Sequence, residues 1–142
     1  MNEQLSAAIR KLRELNEPVP KPMRLPSPEE VDEAERELGI QFHPDYRHYL
    51  LEASDVVLGI LEPATLTVPD DFTDLREVCK SAWESYDVPR NLLPICEDNA
   101  DFYCLNARGE VLFWSHNGLS EEKWPTLADW IEQVWIAESE EE

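Results

Sequence analysis

Five prolines between residues 18 and 28 (Pro18, Pro20, Pro22, Pro26 and Pro28) constrain this chain more than any other feature. Each fixes φ and lacks an amide proton, so no helix crosses the stretch, and it reads as an extended connector over the surface. Upstream, Leu5, Ala8, Ile9, Leu12 and Leu15 recur at helical spacing and predict a helix over residues 2–15. That helix is too short to fold alone, so the connector marks no second domain. Downstream, Ser27 is an N-cap, Pro28 occupies the first helical position and Glu30 completes a capping box. Val31, Ala34 and Leu38 share one face, and Gly39 ends the helix in the left-handed conformation. His43-Pro44-Asp45 opens a third helix with Tyr46, Tyr49, Leu50 and Ala53 as its apolar stripe.

The middle of the chain changes character. Val56–Leu61 and Ala64–Val68 are short apolar, β-rich runs punctuated by Pro63 and Pro69. Residues 70–85 return to helical spacing through Phe72, Leu75, Val78, Cys79, Ala82 and Trp83, with Asp70 and Asp71 favourable at the N-terminus. Three strands are expected at Leu92–Cys96, Phe102–Leu105 and Val111–Trp114, the last two joined as a hairpin through Asn106-Ala107-Arg108-Gly109. Thr126 caps a final helix through Trp135, and the acidic end, Glu138–Glu142, is expected to fray. Helices segregated from a meander give an α+β class: an antiparallel sheet of about four to six strands covered by helices on one side, in a single domain.

Charge narrows the function. Against 31 acids the chain carries 12 Lys and Arg, a net charge of −19. Such a surface repels phosphate, which argues against direct nucleic-acid or anionic-membrane binding and for a basic protein partner. The acidity does not imply disorder, because 5 Trp, 4 Tyr and 4 Phe supply core material. A chain of this length buries roughly 68% of its unfolded surface. No apolar run reaches the ~18 residues of a membrane span, and the polar, amphipathic N-terminus is no secretory signal. Cys79, Cys96 and Cys104 form no close pair, which fits a reducing, cytosolic compartment and no disulfide framework.

Catalytic patterns are missing. No phosphate-binding glycine loop, Gly-x-Ser-x-Gly elbow or His-Glu-x-x-His occurs, so no cofactor and no catalytic or metal site is expected. Cys96 or Cys104 with His116 is the one nucleophilic pairing left, and two core thiols beside a loop imidazole is the plainer reading. Acid pairs arise by chance among 31 carboxylates. Two acidic segments remain as candidate partner surfaces: Glu29, Glu30, Asp32 and Glu33 on the second helix, and Glu97, Asp98 and Asp101 between two strands. The second lacks the D-x-D-x-D-G spacing of a calcium loop. Trp83, Trp130 and Trp135 lie on helical stripes and read as core, Trp114 falls in a strand and Trp124 precedes Pro125; any of them is open as an exposed anchor, and Trp124 is taken as the candidate.

Several segments together resemble the SUKH superfamily, which includes proteins similar to fungal cell-wall assembly regulators. They are Leu25-Pro26-x-Pro28-x-x-Val31, Glu35-x-x-Leu38-Gly39-Ile40 and Phe42-His43-Pro44-Asp45-Tyr46-x-x-Tyr49-Leu50, followed by Leu93-Pro94-Ile95-Cys96, Asp101-Phe102-Tyr103-Cys104-Leu105 and Gly109-x-Val111. On this resemblance the chain divides into a helix and connector (1–23), a SUKH-like α+β domain (24–136) and an acidic tail (137–142). The sequence departs from the family pattern at Ala53-Ser54-Asp55, at Ala100 where a glycine is frequent, and at Asn106 where an acid is frequent. The resemblance implies a non-catalytic bacterial immunity protein that neutralises a toxin, and a basic, nucleic-acid-targeting toxin suits the −19 charge. A structural or regulatory adaptor and a small cysteine-dependent hydrolase are the alternatives.

Overall fold

A computed structural model describes residues 3–69, 71–115 and 117–140. Local chemistry sets the helix ends. α1 (Glu3–Leu15) buries Leu5, Ala8, Ile9 and Leu12 along one stripe and packs on the third and C-terminal helices. Beyond the connector, the Ser27 hydroxyl accepts from the Glu30 N–H at 3.2 Å and the Glu30 carboxylate accepts from the Ser27 N–H at 2.9 Å. This capping box opens α2 (Pro28–Leu38), and Gly39 closes it at φ 68. α3 (Pro44–Ala53) starts on His43, whose Nδ1 accepts from the Asp45 N–H at 3.1 Å. The same imidazole lies against Gly109, where a Cβ would fall 2.6 Å from Nε2. His43 therefore joins α3 to the loop that precedes the third strand.

The expected helix over 70–85 is shorter and changes pitch. Asp74 caps α4 (Leu75–Lys80), accepting from the Arg76 N–H at 3.2 Å, and one π-helical turn (Ser81–Ser85) follows. Asp71 lies outside the helix and accepts from the Thr73 N–H and hydroxyl at 3.3 and 2.6 Å; Asp70 lies outside the described residues. Leu75, Val78, Cys79 and Ala82 are buried as their spacing predicts, but Phe72 precedes the cap and is 62% exposed. The C-terminal helix also passes through a π turn: α5 (Leu127–Trp130) follows the Thr126 cap, Ile131–Ile136 is π-helical, and α6 (Ala137–Glu140) continues into the acidic end. Each π turn carries a tryptophan whose indole N–H leaves its own helix. Trp83 donates to the Leu92 carbonyl and Trp135 to the Leu58 carbonyl, both at 2.9 Å. An extra residue per turn re-aims a side chain, and here it serves tethering.

Four strands form one antiparallel meander in the order β1 (Leu93–Asp98), β2 (Asp101–Leu105), β3 (Val111–Ser115), β4 (Gly118–Trp124). The fourth is not expected from sequence, because Gly-Leu-Ser-Glu-Glu-Lys-Trp has no apolar alternation. It forms as a mostly exposed edge folded onto β3, with Ser115 opposite Gly118. The apolar runs at 56–61 and 64–68 build no strand. They make only isolated bridges, Pro63 to Cys96 and Thr65 to Asp74, since Pro63 and Pro69 cannot donate to a ladder. Helices are not confined to one face of the sheet. On β2, Tyr103 meets Trp130 of the C-terminal helix at 5.3 Å, while Phe102 on the opposite face meets Tyr86 beyond α4 at 5.4 Å. Both faces of β1 and β2 are covered, and Trp130, Trp135, Tyr46 and Phe102 head the core.

β1 and β2 are joined by a two-residue turn with Asn99 at φ 52 and Ala100 at φ 69. Such type I′ geometry wants φ > 0 at both positions, which Asn tolerates and Ala adopts at a cost of about 1 kcal/mol. Ala100→Gly should therefore stabilise the fold by about 1 kcal/mol, roughly 3 °C in a thermal melt. A lower melting temperature would mean that the methyl group makes contacts outweighing the strain.

Candidate functional site

Between α3 and α4 the chain forms an irregular strap, residues 54–74, and the molecule holds it at many points. Its first half is tied to the connector: the Glu17 N–H donates to the Val57 carbonyl at 2.8 Å, and the Val57 N–H to Asn16 Oδ1 at 2.8 Å. The Gly59 N–H donates to Glu17 Oε2 at 3.0 Å, and Trp135 binds the Leu58 carbonyl from inside. Its second half is tied to the sheet and to α4 through the Ala64 N–H to the Ile95 carbonyl and the Leu75 N–H to the Thr65 carbonyl, each 2.8 Å. Thr67 donates its hydroxyl to the Arg24 carbonyl at 2.8 Å. Val56, Leu58, Leu61, Ala64 and Leu66 are buried beneath. The strap is thus preformed in spite of lacking regular structure.

Two large side chains break that burial pattern. Ile60 is 80% exposed and Phe72 62%. Both line a cleft of about 410 Å³ with Leu61, Glu62, Val78, Glu97, Asp98 and Asn99. The strap supplies one wall and the β1–β2 turn the other. Among the described residues, Glu62, Glu97 and Asp98 enter no ion pair. Exposed apolar groups ringed by polar ones mark an interaction site.

The structure brings together only part of the acidic set expected from sequence. Glu97 and Asp98 line the cleft; Asp101, opposite Asp98 across the turn, does not. The α2 acids lie elsewhere and are largely engaged. Arg24 grips Glu30 through two hydrogen bonds of 2.7 Å, and with the Ser27 amide it pulls that carboxyl down to about 2. Arg47 pairs with Asp32 at 2.7 Å, and Arg76 pairs with Glu37. Glu29 and Glu33 stay exposed on the helix. The helix that looked like an acidic face is thus knitted to the body by arginines from three other segments. Trp124 is half-buried, edge-on to Tyr103 at 5.8 Å, and closes β4 rather than projecting as an anchor. Sequence reasoning missed Ile60 and Phe72, although Gly59 before one and the Thr73-Asp74 cap after the other mark chain turns.

Catalytic readings fare worse. Cys79, Cys96 and Cys104 are all buried and free, and burial raises every thiol, Cys104 to about 12. A thiol so raised is a poor nucleophile at neutral pH. His43 is engaged as the α3 cap, His48 contacts Glu52 at 2.7 Å, and His116 lies outside the described residues. Among the described residues no group of three or more His, Cys, Asp or Glu side chains is arranged to hold a metal ion, and no helix is long and apolar enough to cross a membrane.

Comparison with known proteins places these features in context. The family model described as SUKH_5, SMI1-KNR4 cell-wall, matches residues 5–136. No curated protein matches the chain. Among solved structures, the chain is similar to the crystal structure of a protein from Pseudomonas syringae pv. tomato. The two share 44% identity over 93% of this chain and 98% of the other, with a TM-score of 0.89.

Proposed function

The chain belongs to the SUKH_5, SMI1-KNR4 cell-wall family, and from that premise we propose that it is a cytoplasmic, non-catalytic binding protein of bacterial immunity type, which docks a basic toxin domain on the strap–turn cleft. One observation carries the reading: among the described residues the two most exposed large apolar side chains, Ile60 and Phe72, flank a cleft whose carboxylates enter no ion pair. Apolar anchors supply affinity when a partner dehydrates them. Acids that enter no ion pair, on a surface of net charge −19, steer a basic domain and hasten encounter. Occupying the nucleic-acid groove of such a toxin would neutralise it without any chemistry.

The test starts from the reading frames that flank this gene, where the proposal expects a basic, enzyme-like toxin domain. Co-expression of the two chains should relieve the toxicity of that domain. In stopped-flow mixing the association rate should fall by at least about tenfold between roughly 50 and 500 mM salt. A rate that stays flat with salt, or toxicity that persists although both chains accumulate, would count against the proposal.

A further inference from the structure

Beside the docking cleft, and sharing Leu61 and Glu62 with it, lies a second cavity of about 280 Å³ between the strap and the proline-rich connector. Its lining is mainly apolar, with Val56, Val57, Val68 and Pro69 beside Thr73, and among the described residues its acids are Glu62 and Asp71. Both carboxylates belong to solvent-exposed residues. Asp71 spends one oxygen, Oδ2, on Thr73, which fixes the carboxyl and leaves Oδ1 for a ligand. The connector wall is held by the Thr67–Arg24 bond, and the Arg24 side chain is committed to Glu30 rather than to this cavity. A mainly apolar cavity that also holds two solvent-exposed carboxylates matches a long methylene stem that ends in a cation.

We propose that this cavity is the specificity pocket of the docking surface and takes an arginine side chain of the bound partner, stem against the valines and guanidinium against Glu62 and Asp71. The inference rests on the docking reading and adds the chemistry of one anchor. Arginine suits the pocket better than lysine, because its planar fork can meet two carboxylates and it sheds water more readily.

A small probe tests the pocket without the partner. Titrating isotope-labelled protein with n-butylguanidinium should give saturable shifts at the methyls of Val56, Val57 and Val68, with a Kd on the order of millimolar. The neutral isostere n-butylurea should bind at least about tenfold more weakly, and so should n-butylguanidinium to the Glu62→Gln/Asp71→Asn variant. The side-chain amide introduced by Asp71→Asn can still accept from Thr73, so that variant keeps the local turn, and an unchanged thermal melt verifies it. Absence of saturable shifts, equal binding of the urea, or binding unchanged in the variant would each overturn the pocket. Those outcomes leave the docking cleft standing, because it is read separately from Ile60 and Phe72.

Discussion

Replacing Trp135 by alanine is expected to cost about 3–5 kcal/mol of folding stability, enough to leave a domain of ordinary stability barely folded. The indole is 1% exposed, packs at 6.2 Å from both Tyr49 and Trp130, and holds the Leu58 carbonyl through its N–H. Truncation would open a large cavity at the junction of α1, α3 and the C-terminal helix, and would strand a carbonyl of the strap. Trp135→Phe separates the two effects. It keeps most of the apolar volume and removes the hydrogen bond, so a loss of about 1–2 kcal/mol is expected. Urea denaturation of the two variants reads both numbers. The phenylalanine variant should also speed amide exchange at residues 56–60, because the strap is released from inside while the core persists. Equal stability of Trp135→Ala and wild type would mean that the helix does not hold the strap.

The second large effect concerns binding and should leave stability untouched. Ile60→Asp or Phe72→Asp is expected to weaken the complex with the proposed basic partner by about 2–4 kcal/mol, roughly thirtyfold to a thousandfold, mainly through faster dissociation. Both side chains are mostly in water in the free protein, so each variant should melt within a degree or two of wild type. Glu97→Gln/Asp98→Asn should act differently, slowing association and flattening its salt dependence, because these groups steer rather than pack. Glu29→Gln/Glu33→Gln on α2 should change either rate less than about threefold, at the level expected of rim charges. Surface plasmon resonance with the four variants side by side distinguishes anchors, steering charges and bystanders. Loss of binding in the α2 variant with the cleft variants intact would move the interface to the helix.

Legibility followed the range of the interaction. Elements set by bonds within a few residues could be read directly: the Ser27–Glu30 box, the Gly39 stop, the Thr126 cap and the turn into β3 all obey local chemistry. Elements set by distant contacts could not. β4 has no apolar alternation and exists because β3 offers it an edge. The strap reads as strand from composition, but its prolines deny it a ladder, and the connector, β1, α4 and Trp135 supply its bonds instead. Phe72 fits a helical stripe by spacing, yet Asp74 is the better cap and starts the helix only at Leu75, which leaves the ring outside. The acidic sites divided on the same ground. Counting carboxylates on α2 does not show that Arg24 and Arg47, from segments before and after it, and Arg76 of α4 engage them. Only folding shows which acids are left for a partner.

All of these binding effects require that the proposed partner lands on a preformed face made of the strap and the β1–β2 turn. Hydrogen exchange on the free protein and on its complex with the proposed basic partner bears on this directly. Exchange should slow at residues 58–62, 71–73 and 97–101, with α2 and β4 unchanged. Protection centred on residues 28–38 or 118–124, with the strap exchanging as in the free protein, would contradict it.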